Sequence, residues 1–381
     1  MILAPWDRRK ACRPRSDSSY WPQSSIVNFQ YDAFVPLSDF DFDLPDRLIA
    51  QSPPERGTSR LLVVDRQTGS WRHQSIRDLP DLLRSGDVLV VNDSRVVPAR
   101  LLGRRDPSGG QVECLLLRQR GPTEWDVLMH PGQKLKPGTR ARFGSPPAML
   151  EAEVVSQHTF GRRTIRLWRE DGGSVDEAID AIGHMPLPPY IKRPDEPGDR
   201  ERYQTVYAKV RGSVAAPTAG LHLTPELLEA LTVAGVERAH ITLHVGYGTF
   251  QPIRTEQIDA HSIDPEVFRI PSSTARTLAR AATDHRRVIA VGTTTTRTLE
   301  AVAAEHEGRV EESSGETSLF IFPGYRFRVV GGLLTNFHLP KSSLLLLVCA
   351  FGGRELVLDA YRAAVDAGYR FYSYGDAMLI V

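Results

Sequence analysis

Three histidines stand where small or apolar runs give way to polar residues, and imidazole is the side chain best suited to proton transfer near neutral pH. His222 lies in "GSVAAPTAGLHLTPELL", residues 212–228. Its small residues let a ligand approach the backbone, and the helix start that follows offers free N–H groups and a positive dipole end to a carboxylate or phosphate. A histidine merely hydrogen-bonded at a helix entrance explains this stretch equally well. His244 precedes a Gly-x-Gly in "LHVGYGTFQPI", and His338 stands with Asn336 and Lys341 in "LLTNFHLPKSS". In "VIAVGTTTTRTLE" an apolar strand meets Gly292, Thr293, Thr294, Thr295 and Thr296, then Arg297. Glycine permits a tight turn there and the hydroxyls suit a hydroxylated ligand, although threonine as a helix cap accounts for the pattern too. In "VVNDSRVVPAR", Asp93 and Arg95 interrupt an apolar run, which suggests a ligand or an ion pair.

Other chemistries find no support. No histidine pair has metal-ligand spacing, and HExxH, CxxC, the G-x-S-x-G elbow, the Walker loop and G-x-G-x-x-G are all missing. Serine hydrolysis and phosphoryl transfer from ATP are therefore disfavoured.

These segments need a scaffold, and the chain is long enough for two or three domains: 381 residues, 41% of them hydrophobic. Lys and Arg number 47 against 46 Asp and Glu, for a net charge of +1, so an RNA partner must be met by local patches. Cys12, Cys114 and Cys349 are odd in number and far apart, which argues against a disulfide framework and for a reducing, cytoplasmic setting. "SSLLLLVCAF" is too short to span a membrane and reads as a core helix.

Residues 1–37 read as a disordered extension, or as a basic arm reaching RNA through Arg8, Arg9, Lys10, Arg13 and Arg15. Thr68-Gly69 marks a hairpin turn, and short alternating runs between turn signals predict a small antiparallel β-barrel over 86–170. A loop with Pro186, Pro188, Pro189, Pro194 and Pro197 follows the helical "VDEAIDAIG". There Tyr190, Tyr203 and Tyr207 alternate with Lys192, Arg193, Arg200, Arg202, Lys209 and Arg211, which fits an RNA loop or, as readily, a solvated charged surface. Beyond Thr224, the N-cap of a helix with Pro225 at its first position, strands and helices alternate. The expected fold is a mixed-sheet α/β domain, residues 38–85 and 171–381, with the barrel inserted. In such sheets ligands bind beyond the strand ends, on loops that lead into helices.

Ten segments in unbroken order, among them "VVNDSRVVPARL", "GHMPLPPYIKRP", "GSVAAPTAGLH", "TLHVGYGTF", "AVGTTTTRTLE", "FIFPGYRF", "LLTNFHLPKSSLL" and "FYSYGDAMLI", closely resemble the S-adenosylmethionine:tRNA ribosyltransferase-isomerases of queuosine biosynthesis. The resemblance runs from about Ser38 to the C-terminus. It implies an enzyme that moves the ribosyl part of S-adenosylmethionine onto 7-aminomethyl-7-deazaguanine at the tRNA wobble position, yielding epoxyqueuosine, adenine and methionine. It also implies an α/β domain with an inserted barrel in a soluble, monomeric protein of the bacterial cytoplasm that uses no metal. On this resemblance His222, then His244 and His338, are the expected proton-transfer groups. Thr218, Gly220, Thr293, Thr294 and Thr295 would line the S-adenosylmethionine site, with Arg297, Arg95 and Asp93 binding its charged or hydroxylated parts. "EQIDAHSIDPEVF" departs from the family: it keeps His261 and Glu266 but lacks a second histidine expected nearby, which puts catalytic use of this segment beyond His261 in doubt. Phenylalanine is frequent in relatives within "LHLT", and leucine within "GYGTF". A non-catalytic RNA binder, which would tolerate loss of the intact loops, and a methyltransferase, which would need a G-x-G loop, are the rival readings.

Overall fold

The computed structural model describes residues 36–250, 253, 255 and 257–381; the basic N-terminal residues and Cys12 lie outside them. The first hairpin is β1 (Arg60–Asp65) and β2 (Ser70–Ser75), and a one-turn helix α1 (Leu79–Leu82) leads to β3 (Val88–Asn92). After β4 (Ser94–Val96) come β5 (Arg100–Asp106), β6 (Gln111–Gln119), β7 (Glu124–His130), β8 (Arg140–Phe143), β9 (Leu150–Gln157) and β10 (Arg162–Trp168). Then follow α2 (Val175–Ile182), α3 (Asp199–Arg202), β11 (Val210–Ser213), α4 (Pro225–Val233) and β12 (Glu237–Leu243). The remainder is β13 (Glu266–Ile270), α5 (Ser272–Thr283), β14 (Val288–Val291), α6 (Thr293–Glu305), β15 (Ser313–Thr317), β16 (Val330–Asn336), α7 (Ser343–Gly352), α8 (Arg354–Asp366) and β17 (Ala377–Ile380).

A nine-stranded mixed sheet runs in the order β15-β13-β12-β3-β14-β16-β17-β1-β2. Its middle strands β12, β3, β14 and β16 are parallel, so their carboxyl ends share one edge, while β17 enters antiparallel with Asn336 opposite Ala377. Both faces of these strands are covered, which is why β3 and β14 read as unbroken apolar runs and not as alternation. Leu89, Val91, Ile289, Val291 and Leu334 form one core with Leu227, Leu228 and Leu231 of α4. The barrel closes as β10-β7-β6-β5-β8-β9 around Leu101, Cys114, Val127, Phe143 and Ile165, and alternate residues of β6 and β7 point inward.

The α/β fold with an inserted barrel is the architecture found, with boundaries that differ from the expected ones. The barrel begins at Arg100, not near residue 86: β3 is a central strand of the large sheet, and β4 pairs with β11 in a separate ribbon. A short apolar run flanked by turns carries no mark of which sheet it joins. The apolar stretch after Lys341 is two helices, because Gly353 adopts φ +87° between α7 and α8. α6 starts at Thr293, with Gly292 and not a threonine in the cap position. β15 (SSGET) is short and mostly polar, and β13 (EVFRI), although its burial alternates, is only five residues long and buries Glu266; both escape the periodicity reading.

Candidate active site

Beyond the carboxyl ends of β14 and β16 lies a small cavity of about 40 Å³. Its walls come from Ala216–Ala219, Val245, Gly292–Thr294, Thr335, Asn336, His338, Leu344, Tyr190, Tyr372 and Ser373. This is where α/β sheets bind ligands, at the strand ends facing helix entrances.

Gly292 takes φ +90° to turn the chain from β14 into α6 and has no side chain to cap the helix. Thr295 Oγ1 donates to the Val291 carbonyl (2.7 Å), Thr296 Oγ1 to that of Gly292 (3.1 Å) and Thr298 Oγ1 to that of Thr294 (3.0 Å). These hydroxyls serve the helix backbone, and the fully buried Thr295 does not reach the cavity. Thr293 and Thr294 do line it, over the positive end of the helix dipole.

His338 is 7% exposed, and burial pushes its imidazole down to about 3. Its Nε2 pairs with Thr335 Oγ1 at 2.9 Å, and its backbone N–H donates to Tyr361 Oη at 3.2 Å. Nδ1 has no protein partner among the described residues, so His338 is a neutral base with a nitrogen free at a dry site. Tyr190 and Tyr372 stack beside it with ring centroids 3.8 Å apart, and Tyr190 Oη bonds to Ser373 Oγ. Tyr372 holds φ +72°, a conformation that costs a bulky residue energy and clusters at functional sites.

His222 is close by but does not line this cavity. It is 3% exposed, with Nδ1 2.7 Å from Ser59 Oγ and Nε2 accepting from Asn336 Nδ2 at 3.1 Å. With Nε2 accepting, Nδ1 carries the proton and donates to Ser59. Burial, followed by the charge of Arg370, pushes its imidazole down to about 4. Both ring nitrogens are engaged in hydrogen bonds, and His222 holds Asn336 through Nε2. His244 also lies off the cavity: its Nδ1 pairs with Ser94 Oγ at 2.8 Å, and its ring packs on Gly212, where an added Cβ would come within 2.7 Å.

Several other expected residues do structural work. Arg297 is buried with Glu266 in an ion pair of 2.7 Å and donates to the Leu319 carbonyl. Glu266 in turn accepts from the Gly246 N–H at 2.8 Å, so the pair braces the loop after β12 and does not contact the cavity. Asp93 accepts from Thr242 Oγ1 at 2.6 Å, and Arg95 points outward from β4; neither borders the cavity. Gly220 is required by packing, since a Cβ there would meet Tyr207 Oη at 2.1 Å. Thr218 lines the cavity. Asn336 was noted only as a loop neighbour of His338, and Tyr190, Tyr372 and Ser373 were not singled out as site residues; the proline-rich loop and the "FYSYGDAML" run held them without showing that they meet.

The cations of the proline-rich loop are largely consumed internally. Arg193 pairs with Asp199, Arg211 with Asp180, and Arg200 and Arg202 donate to backbone carbonyls, while Tyr203 is buried. The same loop instead forms one wall of an open cleft of about 950 Å³ against the barrel. Arg100, His130, His184 and Lys192 lie along it with Leu102 and Leu128, and its Ile191 and Tyr247 are close in sequence to the cavity's Tyr190 and Val245. Among the described residues no cluster of three or more His, Cys, Asp or Glu is placed to hold a metal ion, and no helix is long and apolar enough to cross a membrane.

Comparison with known proteins adds a family to this geometry. The queuosine biosynthesis protein family matches residues 37–380. An S-adenosylmethionine:tRNA ribosyltransferase-isomerase of Desulfitobacterium hafniense is 50% identical over 91% of this chain and 99% of its own. One from Heliobacterium modesticaldum is 51% identical over 90% of this chain and 98% of its own. The crystal structure of S-adenosylmethionine tRNA ribosyltransferase from Thermotoga maritima, 38% identical, superposes with a TM-score of 0.52 over 90% of this chain and all of that one.

Proposed function

The chain belongs to the S-adenosylmethionine:tRNA ribosyltransferase-isomerases of queuosine biosynthesis, and from that premise we propose that it transfers and isomerises the ribosyl group of S-adenosylmethionine onto 7-aminomethyl-7-deazaguanine at the tRNA wobble position. The products are epoxyqueuosine-tRNA, adenine and methionine. The observation that carries the reading is a neutral, unpartnered His338 Nδ1 in a cavity that also holds a helix N-terminus and a tyrosine pair.

The sulfonium acidifies the C5′ hydrogens of the substrate. His338 Nδ1 takes a C5′ proton; the carbanion opens the ribose and expels adenine, which leaves with a proton. Ring opening at C4′–O4′ leaves a vinyl sulfonium and, as adenine departs, a C1′ aldehyde; the tRNA amine adds to C4′ and loses a proton, the C5′ carbanion so formed closes on C1′ to make the cyclopentane, and the resulting alkoxide displaces methionine from C5′ as the epoxide closes. Burial keeps His338 neutral, so its nitrogen is unprotonated at working pH, while the same burial lowers its basicity. The Tyr190 and Tyr372 faces beside the cavity suit the sulfonium cation and shield the carbanion from water. The cleft between barrel and proline-rich loop suits a wobble nucleotide with its neighbours: it is wide, partly apolar for a splayed base, and bordered by the exposed Lys192 for phosphate. This reaction belongs in the cytoplasm, where its tRNA is found, and one copy of the chain supplies every residue named.

The test is incubation with S-adenosylmethionine and tRNA bearing 7-aminomethyl-7-deazaguanine. Adenine and methionine released in equal amounts support the reading. S-adenosylhomocysteine would mean methyl transfer, and tRNA binding without turnover would mean an RNA-binding protein.

A further inference from the structure

We propose that the cavity at the ends of β14 and β16 is the seat of an α-amino-acid group, with the carboxylate on the first turn of α6 and the ammonium on Asn336 Oδ1. The proposal rests on the reading of S-adenosylmethionine as substrate and names the part of it that this cavity holds.

Asn336 is 2% exposed and its Oδ1 is buried without a hydrogen-bond partner. Its amide orientation follows from its neighbours. Nδ2 lies 3.0 Å from the Tyr372 carbonyl oxygen, which can only accept, and 3.1 Å from His222 Nε2. Both amide protons are therefore committed, and Oδ1 is the acceptor left over on a residue that lines the cavity. Buried acceptors are rarely left unpaired in native proteins, so this one calls for a donor from a ligand.

The opposite need exists across the same cavity. The first N–H groups of a helix have no acceptor within it, and Gly292 supplies no side-chain cap to α6. Val291 pairs with Leu334 at the ends of β14 and β16; α6 starts two residues after the first and Asn336 stands two residues after the second, and Thr293 and Asn336 both line the cavity. A lone anion would satisfy α6 and leave Asn336 Oδ1 orphaned. A lone cation would satisfy Oδ1 and face the positive end of the helix. A ligand with an anion and a cationic donor on one carbon satisfies both. No side chain lining the cavity has a formal charge at neutral pH, which suits a group that is neutral as a whole. The volume of about 40 Å³ admits such a head group and not a nucleoside. The rest of the substrate must then extend outward, past Tyr190 and Tyr372.

Calorimetric titration of the full chain with L-methionine, 4-(methylthio)butanoate and 3-(methylthio)propylamine separates the two ends. The wild type is expected to bind methionine roughly 10- to 100-fold more tightly than the butanoate, which lacks the ammonium. Asn336→Ala should weaken methionine by that factor and leave the butanoate unchanged, which also shows the site still folded. Thr293→Pro, tolerated at a first helical position, removes one N–H; it should weaken methionine and the butanoate about tenfold and spare the amine. Equal weakening of methionine and the butanoate by Asn336→Ala, or no methionine binding at millimolar concentration, overturns the proposal. Adenine release is followed in parallel: methionine discrimination without turnover of S-adenosylmethionine rejects the substrate reading and keeps the seat.

Discussion

Acidification should loosen this protein through two buried histidines, and the size of the effect can be worked out. Free histidine titrates near 6.5, whereas burial pushes His222 down to about 4 and His338 to about 3. Between those values and 6.5 the unfolded chain binds protons that the folded chain refuses. Stability is therefore full above about pH 6.5 and falls as pH drops through that window. At about pH 4.5, integrating the two titrations gives a loss of about 2–3 kcal/mol for each histidine. Together that is about 5 kcal/mol, comparable with the whole stability of a small domain. The assay is urea unfolding at a series of pH values, followed by tryptophan fluorescence and circular dichroism, on the wild type and on His222→Gln. The variant starts from a lower stability because Asn336 and Ser59 lose a partner, but its pH dependence should be shallower by about 2.5 kcal/mol across the window. Equal pH slopes in the two proteins would refute a neutral His222. Protonation of His222 in the folded chain comes only near pH 4 and removes the acceptor for Asn336 Nδ2, so affinity for methionine should hold through the window and fall near and below about pH 4.

Replacing His338 by Ala should lower adenine release by about 10²- to 10⁴-fold with S-adenosylmethionine binding nearly unchanged; retained turnover removes it as the base. Arg297→Met leaves the Glu266 carboxylate buried without its partner, and thermal unfolding should report a loss of about 3–5 kcal/mol. Gly220→Ala brings a methyl within 2.1 Å of Tyr207 Oη and should cost about 1–3 kcal/mol, seen as a lower Tm. Arg95→Ala, on an exposed side chain, should shift stability by less than about 0.5 kcal/mol and leave S-adenosylmethionine binding intact.

Much of this molecule is legible along the chain. Thr224 and Pro225 announce α4, Thr68-Gly69 the first hairpin, and the spacing of turns a barrel, because caps, turns and alternation are local physics. The ligand-facing loops are legible too: glycine after an apolar strand, followed by threonines, marks the β14–α6 junction. What a local pattern cannot carry is direction and company. Arg297 and His222 look like site residues in sequence, yet the first is taken by Glu266, 31 residues away, and the second by Ser59, 163 away. His338, placed behind His222 by the sequence, is the one with an unpartnered nitrogen among the residues that line the cavity. Asn336 Oδ1 becomes an unspent acceptor only because Tyr372 and His222 claim its amide protons from distant parts of the chain. The sequence by itself determined which elements form and which family the chain resembles. The tertiary structure decided which polar atoms remain unpaired, because hydrogen-bond partners come from strands and loops that only the folded sheet brings together.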